Sequence, residues 1–147
     1  MPSKNFTSDD KRFTLQLPPN WDEYDDGEEN TYAFFNNVKW TGNLRITHFN
    51  WPGSNGNSEG KAEKFIEEDL AENAGSSKII LGNWICAHYT KNLTQQNDDL
   101  IIYYWSTGIL NDLFICSFTI DKAQENTDEN TLELKKVQEI ISSLKLS

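Results

Sequence analysis

The chain has 147 residues, and 23 Asp and Glu against 13 Lys and Arg give it a formal charge of −10. That acid excess argues against nucleic-acid binding, which needs a basic stripe to meet phosphate. The length suits one domain, five Trp, eight Phe and five Tyr promise a packed core, and no apolar run is long enough to span a membrane as a helix.

Residues 1–11 are polar and are expected as a loose arm of a single domain covering 1–147. They lack the apolar stretch of a secretory signal, which points to a cytoplasmic protein, monomeric or homodimeric. Arg12 to Leu17 alternates, with Phe13, Leu15 and Leu17 on one side, and reads as a strand with one buried face. Pro18-Pro19 ends it, because neither can donate to a ladder, and Trp21 folds back as a plug at the sheet's end. The run Trp21 to Asn30 holds six acids and no base and reads as a solvated loop.

Thr31 to Asn36 and Asn43 to Phe49 are the next strands, with a turn over Val38 to Gly42. Trp51-Pro52-Gly53 closes the second, and Ser54 to Ser58 is a turn-rich loop. Ser58 is the expected N-cap of a helix whose apolar face is Ala62, Phe65, Ile66, Leu70 and Ala74, ended by Gly75.

Three apolar segments follow, IILGNWICAHYT, DDLIIYYWSTG and NDLFICSFTI, each expected as a strand. The short gaps between them favour antiparallel neighbours. Alternation puts Leu100, Ile102 and Tyr104 on one face and Ile101, Tyr103 and Trp105 on the other. In the third segment Leu113 and Ile115 oppose Phe114, Cys116, Phe118 and Ile120. Both faces are apolar, so each needs a cover. Thr127 or Asp128 then caps a second helix, running to about Leu146, with Leu134, Val137, Ile141 and Leu144 on its apolar stripe.

Cys86 and Cys116 fall inside strands and read as buried free thiols, with a cross-strand disulfide as the alternative. The two histidines, His48 and His88, also sit in strands. Cys86 and His88 share a side, so a two-ligand metal nucleus is geometrically open, but the ligand spacings of a zinc site are missing. No phosphate loop, nucleophile elbow or dinucleotide fingerprint occurs, so neither catalysis nor a cofactor is expected. A small enzyme or metal-binding protein using His48 or His88 is the weakest reading.

Leu17-Pro18-Pro19-Asn20-Trp21 closing a first strand, then a hairpin, a helix, a three-strand meander and a C-terminal helix, resembles the PsbP-like (Mog-type) fold from Phe13 to Leu146. The resemblance implies an α+β fold, with an antiparallel sheet of about six strands and helices packed on both faces, in an uncharacterised bacterial domain. It also implies binding: characterised members of that fold bind proteins or act as accessory factors, and one bacterial branch serves secreted effectors as chaperones. The expected function is therefore a non-catalytic protein-binding module, accessory or chaperone-like. The alternative is an acidic immunity or inhibitor protein that neutralises a basic toxin. The candidate contacts with a basic partner are Asp22, Glu23, Asp25, Asp26, Glu28 and Glu29 for steering, and Trp40 and Trp51 as anchors.

Overall fold

The alternating segments all become strands, and every ladder they form is antiparallel. The structure, a computed structural model, describes residues 3–51 and 60–147. Ten strands are present among them: β1 (Lys4–Thr7), β2 (Phe13–Leu17), β3 (Trp21–Tyr24), β4 (Thr31–Asn36), β5 (Gly42–Asn50), β6 (Ser77–Leu81), β7 (Trp84–Gln95), β8 (Asp98–Ile109), β9 (Asp112–Asp121) and β10 (Lys145–Leu146). Two helices, α1 (Lys61–Glu72) and α2 (Asp128–Ser142), complete the α+β fold. A large sheet runs β3-β4-β5-β9-β8-β7-β6, and a small one runs β1-β2-β10.

The large sheet has an inner and an outer face. Register places Phe34, Leu44, Ile46, Phe114, Cys116, Phe118, Trp105 and Cys86 on the inner face, all buried. Their cover is Phe6, Phe13, Leu15 and Leu17 of the small sheet together with Val137, Ile140, Ile141 and Leu144 around α2. Trp84 fastens the end of that cover, its indole N–H donating to the Leu144 carbonyl at 2.9 Å. Trp21 is buried in β3, as a plug should be.

On the outer face α1 lies over one end. Gly108 permits this, since a Cβ there would meet Ala62 Cβ at 3.0 Å and the Asp112 carbonyl at 2.1 Å. Asp69 of α1 is buried against the sheet, accepting from Ser106 Oγ at 2.7 Å and Tyr89 Oη at 3.2 Å. Beyond α1 the face is half-exposed, with Ile102, Tyr104, Arg45, Thr47 and Ser117 across it.

These observations correct the expectation of one sheet of about six strands with helices packed on both faces. Ten described strands form two sheets, and the inner cover is largely β-structure rather than a helix alone. The physical reason is length: α2 ends at Ser142 instead of reaching Leu146, so the chain regains an extended form and β10 pairs with β2. The expected loose arm 1–11 is likewise corrected, because Lys4 to Thr7 pair with Leu17 to Thr14 and bury Phe6. The segment read as one strand from Ile79 to Thr90 is a hairpin turning at Gly82-Asn83. Part of the acidic stretch read as loop, Trp21 to Tyr24, is strand β3.

Other local readings hold. Thr127 caps α2, its Oγ1 accepting from the Asn130 N–H at 3.2 Å. Gln96 and Asn97 turn β7 into β8 with φ of 51° and 69°, the left-handed pair that a two-residue hairpin requires. The stretch Pro52 to Ser58, including the expected Ser58 cap, lies outside the described residues; α1 begins after Gly60, which offers no side-chain cap. Cys86 and Cys116 are free and buried, and burial pushes both thiols up, Cys116 far up. No described helix is long and apolar enough to cross a membrane.

Candidate functional site

Two separated segments build an acidic cleft at the β3–β4 end of the large sheet. The first is the turn from β1 to β2. Ser8 is buried there, and its hydroxyl donates to Asp10 Oδ1 at 2.8 Å while accepting from the N–H groups of Arg12 and Phe13 at 3.0 and 3.2 Å. One small hydroxyl thus ties the turn to its own carboxylate, and the Asp9 N–H donates to the Tyr32 hydroxyl at 3.1 Å. The second segment is loop 25–30. Asp25 Oδ1 accepts from the Gly27 N–H at 2.8 Å and Asp26 Oδ1 from the Glu28 N–H at 3.0 Å, two successive Asx turns.

Between them lies a cleft of about 580 Å³ with Asp9, Asp10, Glu23, Asp25, Glu28 and Glu29 on its walls, beside Tyr24 and Tyr32. No described lysine or arginine lines it. Burial pushes the Glu23 carboxyl up, and the charges of Asp9 and Asp25 add to the rise. Burial would raise Asp10 too, but the Ser8 hydroxyl, the Arg12 N–H, His48 and the Arg12 guanidinium together hold it below the usual range. Burial also raises the Tyr32 phenol, with Asp9, Asp10 and Glu23 reinforcing it against the one N–H donor from Asp9. The cleft is a place where negative charge is concentrated beyond what its own partners neutralise.

Of the acids expected to steer a partner, Glu23, Asp25, Glu28 and Glu29 share this cleft. Asp22 and Asp26 are engaged elsewhere. Asp22 meets Lys4 Nζ at 2.8 Å and the Asn37 side-chain amide, which hold its carboxyl low. Asp26 turns to the outer face and meets Arg45 Nε at 2.8 Å; the Glu28 N–H and Arg45 outweigh burial there and lower it. Trp40 is 65% exposed in the β4–β5 turn, its indole N–H on Asn43 Oδ1 at 3.1 Å, at the far end of β4 from the acids. Trp51 follows β5, half-buried, with its backbone N–H on the Asn111 carbonyl at 2.9 Å. Neither Trp lines the cleft.

Asp9 and Asp10 were not singled out in the sequence. Their place depends on β1, whose four residues give too short an alternation to announce a strand.

The histidines serve packing. His48 is buried, stacks on Phe114 at 4.7 Å and meets Asp112 Oδ1 through Nε2 at 2.9 Å. His88 stacks on Trp105 at 4.8 Å with Nδ1 2.9 Å from the Tyr104 carbonyl. Among the described residues no cluster of three or more metal-ligating side chains forms.

Comparison with known proteins gives these relationships. A family model described as "Domain of unknown function (DUF3805)" matches residues 1–147. A crystal structure from Bacteroides thetaiotaomicron VPI-5482 is similar over the whole of this chain, at 31% identity and a TM-score of 0.81. The chain covers 49% of that protein, so it spans about half the relative's length. LpqN of Mycobacterium tuberculosis, described as involved in cell envelope biogenesis, shares the fold at 9% identity and a TM-score of 0.56, over 99% of this chain and 90% of that one. Cyanobacterial PsbP from Synechocystis sp. PCC 6803 is a weaker likeness, with a TM-score of 0.47 at 9% identity over 99% and 93%. No curated protein matches.

Proposed function

The chain belongs to the family described as Domain of unknown function (DUF3805), and we propose that it is a non-catalytic protein-binding module whose acidic cleft receives a basic segment of a partner protein. The observation that carries this reading is the cleft itself: carboxylates from two segments distant in sequence, converging with no described cation among the lining residues. An arrangement of that kind costs stability in the free protein, since like charges are held together. Lysine or arginine side chains of a partner would relieve the repulsion. Burial raises the Glu23 carboxyl first, and the Asp9 and Asp25 charges add to that rise.

The role of the charge is in encounter. Exposed carboxylates act over about 8 Å at physiological salt, so they speed association and select orientation more than they add affinity. Tyr24 and Tyr32 supply the flat apolar area for the lysine or arginine stems, the place the sequence reading gave to Trp40 and Trp51.

The test is a titration of the labelled protein with a short Lys/Arg peptide, beside the variant carrying Glu23→Gln, Asp25→Asn, Glu28→Gln and Glu29→Gln. Resonance shifts confined to Asp9, Asp10, Tyr32 and loop 25–30 are expected, with association slowed about tenfold in the variant and its salt dependence flattened. Shifts scattered over the surface, or equal association rates for the two proteins, would overturn the reading.

A further inference from the structure

The two edges of the large sheet are guarded very differently. At β3, Asp22 and Glu23 place charge on the edge strand, and Lys4 of the small sheet reaches across to Asp22 at 2.8 Å. Charge on an edge is a usual protection against pairing with another chain. At the opposite edge, β6 carries Ile80 at 71% exposure, paired across its hairpin with Ile85 at 50%. The one charge of β6 does not guard it, because Lys78 is drawn onto Glu67 of α1 at 2.7 Å.

Register decides which main-chain groups are open. The hairpin turns at Gly82-Asn83 with Leu81 opposite Trp84, followed by Ile79 opposite Cys86 and Ser77 opposite His88. In such a two-residue hairpin those pairs exchange the hydrogen bonds, and the residues between them, Lys78 and Ile80, turn N–H and C=O away from the partner strand. No other main-chain bond meets those groups among the described residues. The side chains of the same two residues point to the outer face. A groove of about 300 Å³ lies there between the β6–β7 hairpin and α1, formed chiefly by Ile66, Ile85 and Ile109, with Glu63 and Glu67 on its helical wall.

We infer that the open edge of β6 accepts an extended segment of a partner polypeptide as an eighth strand. Its main chain bonds to Lys78 and Ile80, an apolar side chain beside Ile80 covers that residue on the outer face, and a Lys or Arg one pleat along meets Glu67 next to Lys78. Open donors and acceptors at strand spacing call for a polypeptide rather than a small molecule, and the pleat turns every second side chain to the outer face beside Ile80. Glu67 meets Lys78 through Oε1 alone, which leaves Oε2 to accept from a basic residue of the segment. This site is independent of the acidic cleft, since six strand spacings, about 29 Å, separate β3 from β6.

The probe is a short peptide of alternating Ile and Thr with one Arg, compared with two isomers N-methylated on odd or on even residues. All binding is measured on the cleft amide variant described above, so that no signal arises from the cleft and the two proposals fail separately. One isomer should bind like the parent and the other at least about tenfold more weakly, because one edge of the peptide pairs. Ile80→Lys, at a position too exposed to disturb folding, should weaken the parent peptide by a similar factor. Amide exchange at Lys78 and Ile80 should slow on binding. Absence of binding, equal binding of both isomers, or equal binding by the Ile80→Lys protein would each overturn the inference. Dimerisation abolished by Ile80→Lys would overturn it as well, by giving the edge to a second copy of this chain.

Discussion

The inner and outer faces of the large sheet are made by the same strands and have opposite fates. On β9, Phe114, Cys116 and Phe118 are sealed beneath the small sheet and α2, whereas Ile115, Ser117 and Thr119 stay half-exposed. The difference teaches that alternation assigns residues to faces but does not measure the cover each face receives. The clue to cover is the polar share: threonine, serine and arginine recur on the outer face and are almost missing from the inner one.

The largest test of this contrast is a pair of truncations on adjacent positions. Phe114→Ala should cost about 3–5 kcal/mol, since it empties a site packed by Phe13, His48 and Trp84. Ile115→Ala, one residue away, should cost well under half of that. Denaturant midpoints for the two would break the contrast if they moved equally.

Next comes the place where the outer face is covered. Asp69→Ala removes the acceptor for Ser106 and Tyr89 and should destabilise by about 1–3 kcal/mol, with faster amide exchange in α1 before any change in β9. Unchanged exchange in α1 would mean that the helix is held by Ala62 and Ile66 alone.

A subtler effect separates two carboxyls by pH. Glu133 of α2 is buried, and burial raises its carboxyl even though the Thr41 hydroxyl and N–H pull it down. The folded state then holds the proton longer than the unfolded chain. Its contribution is therefore full below the ordinary value of 4.5 and is lost as pH rises through the folded value. Asp26 on the outer side is lowered, so its contribution is present above the ordinary 3.8 and lost as pH falls through the folded value. Glu133→Gln should flatten the decline of stability above pH 4.5 and Asp26→Asn the decline at the acid end, read from thermal midpoints across pH. The smallest effect belongs to Tyr104→Ala on the open outer face, at about 1 kcal/mol or less, despite its stacking on Tyr89 at 5.1 Å.

Where the chain repeats a pattern for long enough, the fold was legible. β8 and β9 carry ten or more alternating residues, and their faces came out as read. Thr127 was legible as a cap because its hydroxyl acts on its own turn. What escaped were elements whose reason lies elsewhere in the chain. β1 and β10 are short, and they are strands because β2 is there to pair with them. The Gly82-Asn83 turn was hidden inside an apolar run, where both flanks look like one strand. In the cleft, local composition gave Glu23, Asp25, Glu28 and Glu29, while Asp9 and Asp10 arrive through the β1–β2 hairpin. Trp40 and the acids were expected together because sequence shows both near strand ends, without showing that these ends are opposite.

The placing of β2 between β1 and β10 has a bearing on how the nascent chain folds. All seven strands of the large sheet are in hand once Asp121 has been made, but the lid over Phe114 and Phe118 still lacks α2 and β10. At about 5–20 residues per second, the ~25 residues from Lys122 to Leu146 take roughly one to five seconds. Through that interval the nascent chain has its most aromatic surface only part-covered, by β1 and β2. Closure must wait until β10 meets β2, so a chain halted before Leu146 would leave an adhesive, half-lidded sheet for chaperones and proteases to sort.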